Sequence, residues 1–178
     1  MRPPPPSLDR SVRLALTSFA TRAFDPNWRG REREAISLFA FGYLLEHFNG
    51  REPLRDPAQI GIEVCVPGVK AENEKGRVNK DLVIWSDAAM STFNEERRAV
   101  YSPLCIMEWT TFRTGRSRRR AWEYDIRWLE SYTKEWPDCT GYAVALLVNP
   151  PAPTLRVARV QRGDKNRSWL VKTPGSST

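Results

Sequence analysis

Asn79-Lys80-Asp81-Leu82-Val83-Ile84-Trp85 and Leu104-Cys105-Ile106-Met107-Glu108-Trp109-Thr110 are the stretches whose reading decides the fold. Each is a short apolar run with one carboxylate among apolar residues. Asp81 opens the first strand, and Glu108 lies near the end of the second. Strand residues alternate between faces, so Leu104, Ile106, Glu108 and Thr110 are expected to share one face. An acid on an apolar strand face is costly to bury without a partner. Two carboxylates held close repel unless they share a proton or a cation. A hard divalent ion, Mg²⁺ or Mn²⁺, suits such oxygen donors. The competing reading has Asp81 closing a turn and Glu108 salt-bridged at a strand end.

Working outward, Gln59–Pro67 alternates, with Ile60, Ile62, Val64 and Val66 opposite Gly61, Glu63 and Cys65. It predicts a strand with Glu63 as a rim charge. The charged stretch Val69–Lys80 reads as a solvated excursion of a hairpin, and Ser86–Val100 as a polar connection ending in a short helix. Upstream, Ser7 is a candidate N-cap for a helix over Leu8–Ala23, with Val12, Leu16, Phe19 and Ala20 at helical spacing. A second helix is expected from Gly30 to His47, stopped by Asn49-Gly50. Its apolar residues lie on nearly every side, which predicts a buried helix. Glu34 lines up with Leu38, Phe41 and Leu45, and Glu32 with Ile36 and Phe39, so either can carry a carboxylate inward. Both also suit the positive end of the helix dipole. His47 reads as a C-terminal cap.

Downstream of Thr110, Arg113, Arg116, Arg118, Arg119 and Arg120 crowd into eight residues and lead into a helix over Arg118–Glu135. Guanidinium forks fit phosphate oxygens, and such contacts position a backbone without reading its sequence. A solvated basic surface is the plainer alternative. Tyr142–Val148 is apolar throughout, as for a strand buried on both faces. Leu155–Val160 and Ser168–Val171 are weaker strands at a sheet edge. The order of elements predicts one mixed α/β domain over 8–171. Flanking it are a Pro-rich disordered arm (1–7) and a disordered tail (172–178).

Twenty-eight Lys and Arg against 21 Asp and Glu leave a net charge of +7. That balance favours a polyanionic partner, nucleic acid first. Trp85, Trp109, Trp122, Trp128 and Tyr124 can stack on bases, although core packing explains most of them. The three cysteines lack CxxC spacing, which argues against a disulfide framework or a zinc site; Cys65 and Cys105 read as buried. No run has the length of a membrane span and no signal peptide is visible. The expected location is the cytoplasm.

A helix with an acid near its start, Asp81 opening a strand, and Glu108-Trp109-Thr110 ending the next resemble the PD-(D/E)XK nuclease superfamily. The resemblance covers about Arg31–Val148. It implies a restriction endonuclease-like α-β-β-β-α-β core with an extra N-terminal helix. It further implies a metal-dependent nuclease acting on nucleic acid, DNA first, and a homodimer is compatible with it. Asp81 and Glu108 match the two motif acids and Glu34 the helix acid, which makes all three candidate metal ligands. The motif lysine falls on Thr110, which carries no charge. Three accounts follow: a cation from elsewhere (Lys80, Arg113 or Lys70) serves the site; the metal suffices; or the chain is a catalytically inactive nucleic-acid-binding or assembly module on the same fold. A protein-interaction domain meeting an acidic partner is a weaker reading.

Overall fold

The computed structural model describes residues 7–23, 28, 30–51, 53–70, 77–88, 103–112, 116–148 and 153–173. The helices are α1 (Leu8–Arg22), α2 (Glu32–Gly42) and α3 (Arg116–Glu135). The strands are β1 (Ile60–Pro67), β2 (Arg77–Ile84), β3 (Cys105–Phe112), β4 (Thr140–Leu147), β5 (Thr154–Gln161) and β6 (Asp164–Lys172). They form one six-stranded sheet in sequential order. Only β3 and β4 run parallel; every other neighbouring pair is antiparallel. A parallel pair needs a long crossover, and α3 supplies it. The class is mixed α/β.

The sheet carries a core on each face. Helices α1 and α2 cover one, burying Leu16, Phe19, Ile36 and Phe39 against Leu82, Met107, Trp109 and Val144. On the other face α3 buries Ile126, Trp128, Leu129 and Tyr132 against Val83, Ile106, Ala143 and Val160. Strands β3 and β4 lie in the middle and are buried almost end to end. This explains the unbroken apolar run in β4: a strand covered on both faces has no reason to alternate. α3 sits so close to β4 that a Cβ on Gly141 would stand 2.8 Å from Leu129 Cδ2 and 3.0 Å from its Cβ.

Several sequence expectations change. The second helix ends at Gly42, where Tyr43 leaves helical geometry (φ −133°), and a 3-10 turn over Leu44–His47 follows. His47 closes that turn rather than α2. Nor is α2 buried all round. Ala35, Ile36, Phe39 and Ala40 face the core, while Phe41 is 60% exposed and Leu38 41%. Cys65 is exposed, and it donates its Sγ–H to Asn79 Oδ1 at the open edge of the sheet. β2 begins at Arg77, so the charged excursion is shorter than expected. Lys172 pairs with Leu155 and belongs to β6, not to a tail. Ser7 does cap α1, accepting from Arg10 N–H. The Pro-rich arm, the connection over 89–102 and the end of the chain from 174 lie outside the described residues. No described helix is long and apolar enough to cross a membrane.

Gly141→Ala is expected to push Leu129 off its seat and cost about 1–3 kcal/mol. The check is the urea midpoint of unfolding; an unchanged midpoint would contradict the close approach of α3 to β4.

Candidate active site

β2 and β3 are backbone-paired only at Leu82↔Met107, Val83↔Ile106 and Ile84↔Cys105. Beyond Leu82 the ladder opens, and carboxylates replace backbone partners. Trp109 N–H donates to Asp81 Oδ2 at 2.7 Å, and Asp81 N–H points to Glu108 Oε2 at 3.4 Å. Each acid thus occupies a donor that the parting strands would otherwise leave bare. Asp81 and Glu108 converge on one fork.

Lys80 joins them through a break in alternation. Ile60 and Ile62 of β1 pack into the α1–α2 core, whereas Val64 and Val66 pack into the α3 core. In β2, Leu82 and Ile84 face α1–α2, whereas Val78 faces α3. The single row of β1 residues read from the sequence is therefore divided between both faces. The change of side falls at Glu63, whose backbone adopts φ +53°, and at Asp81 opposite it. Positive φ is uncommon for a non-glycine residue. Lys80 consequently turns to the α3 face. Its Nζ donates to Glu108 Oε1 and stands 3.4 Å from the Trp128 ring centroid, a cation–π contact. Lys80 and Glu108 are both over nine-tenths buried.

Two further acids flank the fork. Thr110 Oγ1 donates to Asp125 Oδ2 of α3 at 2.9 Å. Thr111 N–H donates to Glu32 Oε2 of α2 at 2.6 Å. Glu32 is thus the α2 acid that reaches the sheet. Glu34, the expected helix acid, instead accepts from Arg31 N–H at 2.7 Å. Its carboxylate satisfies the first turn of its own helix, a capping role, and is not brought to the fork. Sequence reasoning missed Asp125. It lies four residues before Leu129, which α3 buries against the sheet, and that spacing was the available signal. Thr110 follows Ile106 and Glu108 on the α3 face as expected, whereas Leu104, just before β3, packs into the α1–α2 core. Arg116, Arg118 and Arg119 fall in the first turn of α3, where no side chains are described; Arg120 is exposed, and Arg113 lies outside the described residues.

Burial dominates the electrostatics. Desolvation pushes Glu108 up to about 8, and the Lys80 ammonium pulls it only part of the way back. Asp81 is raised, first by burial, against the lowering effect of Trp109 N–H. Asp125 rises to about 6 by burial, with the Thr110 hydroxyl opposing. The fork holds more carboxylate than Lys80 alone can balance, so a further cation would relieve it. Among the described residues no three His, Cys, Asp or Glu side chains form a ready-made metal group. The donors that are present, two hard carboxylates, fit Mg²⁺ or Mn²⁺ in chemistry. A cavity of about 230 Å³ adjoins them, lined by Arg33, Glu63, Asn79, Lys80 and Asp81. Arg33 Nε and Glu63 Oε1 pair across it at 2.6 Å.

The folded chain keeps the Glu108 proton until about pH 8, whereas an unfolded glutamate loses it near ~4.3. Between those values the folded state binds more protons, so its stability must fall as pH rises. The urea midpoint should drop from pH 5 to pH 9. The double variant Lys80→Met/Glu108→Gln should fall less steeply, keeping only the part that the raised Asp125 and Asp81 carboxyls contribute. Equal slopes in the two proteins would show that Glu108 is not the titrating group. The chain matches no known protein family, curated protein or solved structure.

Proposed function

We propose that this protein is a divalent-metal-dependent nuclease that hydrolyses phosphodiester bonds, with DNA as its substrate, on a restriction endonuclease-like core. One observation carries the reading: Lys80, Asp81 and Glu108 meet where β2 and β3 part. The run α2-β1-β2-β3-α3-β4 has the α-β-β-β-α-β order that this reading requires. A net charge of +7 agrees with a polyanionic substrate.

Asp81 and Glu108 would hold the cation. When bound, Mg²⁺ or Mn²⁺ supplies Lewis acidity, lowering the pKa of water and neutralising phosphate charge. The rest falls to the chain itself. Lys80 takes the part of the absent motif lysine. It reaches the fork from the neighbouring strand because β2 changes side at Asp81. Its Nζ, held between Glu108 and the Trp128 ring, is placed to donate to a phosphoryl oxygen or to orient a water. The Thr110 hydroxyl is committed to Asp125 and presents only its lone pairs to the fork. Glu32 binds Thr111 N–H and so braces the outgoing end of β3. The arginines from Arg116 to Arg120 would grip the backbone beyond.

Supercoiled plasmid, linear DNA and RNA, each with Mg²⁺, Mn²⁺ or chelator, form the test. Cutting of DNA should require the metal. It should fall about 10²–10³-fold in Asp81→Asn, Glu108→Gln and Lys80→Met, and less than ~10-fold in Thr110→Val. Salt-sensitive binding without cutting under any metal would identify the silent nucleic-acid-binding module instead. Independently of turnover, saturating Mg²⁺ at about 100 times Kd should stabilise the fold by about 2.7 kcal/mol. Asp81→Asn should lose that gain; equal stabilisation in the variant would remove Asp81 from the ligand set.

A further inference from the structure

A second cavity, of about 340 Å³, lies between α3 and the β5–β6 edge of the sheet. Its walls include Trp122 and Glu123 of α3, Arg156 of β5, and Arg167 and Ser168 of β6. That size falls in the range of small-ligand sites. The fork chemistry described above uses none of these residues.

Three features give the cavity a chemical character. Arg156 is exposed and forms no ion pair among the described residues, so its guanidinium is open to an anion. Trp122 Nε1 donates to Ala143 O at 3.2 Å, which ties the half-buried indole to β4 and fixes its plane. Arg167 Nη1 contacts both carboxylate oxygens of Glu123, at 2.7 and 2.6 Å, holding the opposite wall. The cavity therefore offers a free cation beside a pre-set aromatic face. A phosphate joined to an unpaired base matches that combination.

Register places the cavity relative to the fork. Thr110 pairs with Ala145, Ala145 with Arg156, and Arg156 with Val171. In the neighbouring row Glu108 pairs with Ala143, the residue that anchors Trp122. Ala143 and Ala145 on β4 are buried, and Asp125 and Trp122 of α3 bind Thr110 and Ala143 there, so the helix covers the direct line between Thr110 and Arg156. Two strand spacings separate those two residues, roughly 10 Å. One strand of nucleic acid can span that distance.

We propose that this cavity binds one nucleotide of a single-stranded nucleic acid, its phosphate on Arg156 and its base against Trp122. The remainder of that strand extends along the surface toward the Asp81–Glu108 fork. The placement of the strand builds on the nuclease reading, but occupancy of the cavity does not depend on cutting. A duplex is too wide for this cavity, and its bases are not free to stack.

The test is fluorescence anisotropy with a short labelled oligonucleotide, single-stranded or annealed to its complement, in chelator. Arg156→Ala is expected to weaken single-strand binding about 10-fold and to reduce the salt slope by roughly one. Arg156→Lys should restore the slope and only part of the affinity, because the fork is lost. Trp122→Leu should weaken the single strand and leave the duplex unaffected. Unaltered single-strand affinity in Arg156→Ala, equal sensitivity of the duplex, or no binding by the unmodified protein would each overturn the proposal. Loss of binding in Arg156→Ala by a protein that never cuts would keep the cavity and discard the nuclease reading. Metal-dependent cutting with unaltered binding in Arg156→Ala would do the reverse.

Discussion

Past Leu82 and Met107, β2 and β3 give up their shared backbone hydrogen bonds, and the side chains of Asp81 and Glu108 accept the donors left behind. The candidate chemistry follows from this opening. Backbone amides in a sheet interior must be partnered, and a carboxylate that accepts one is fixed in place without a rotamer of its own to choose. The opening also leaves room beside the acids, where Lys80 enters. Its ammonium is held by Glu108 on one side and the face of Trp128 on the other. Breaking such a buried pair from one side is costly, because the remaining charge has nowhere to go.

The break in alternation at Glu63 and Asp81 makes the constellation possible. In a regular β2, Lys80 and Leu82 would share a face, and the lysine would enter the apolar core beneath α1 and α2. The reversal sends Leu82 to that core and Lys80 to the other. Glu63 bears the local strain in its positive φ, and strained backbone persists only where surrounding structure enforces it. Here the enforcing structure is the β1–β2 ladder, intact on both sides of Glu63.

α3 ties the two halves of this picture together. Asp125 takes the hydroxyl of Thr110, Trp128 receives Lys80, and Trp122 is bound to β4 in the row of Glu108. The inward face of one helix therefore touches the fork and the second cavity. Gly141 allows α3 to approach closely enough for these contacts. The crossover between the two parallel strands thus also covers the fork.

Much of this was legible in the residues alone. The apolar runs at Leu82–Ile84, Cys105–Met107 and Tyr142–Leu147 announced central strands, and the helical spacing of Val12, Leu16 and Phe19 announced α1, because burial writes its period into local sequence. Asp81 and Glu108 stood out since acids in such runs demand an explanation. Glu34 misled because a residue in line with an apolar face can still spend its carboxylate on its own N-terminus. Choosing Glu32 over Glu34 needed the packing of α2 against β3, which brings Glu32 to Thr111 N–H. Lys80 was adjacent to Asp81, but its side depended on a backbone reversal that no periodicity records. Asp125 and Arg156 reach their places through strand register and helix packing, contacts between residues far apart in the chain. Local pattern determined which segments are buried and where charge intrudes on them; only the assembled sheet decided which of those charges meet, since that depends on pairing and twist rather than on neighbours in sequence.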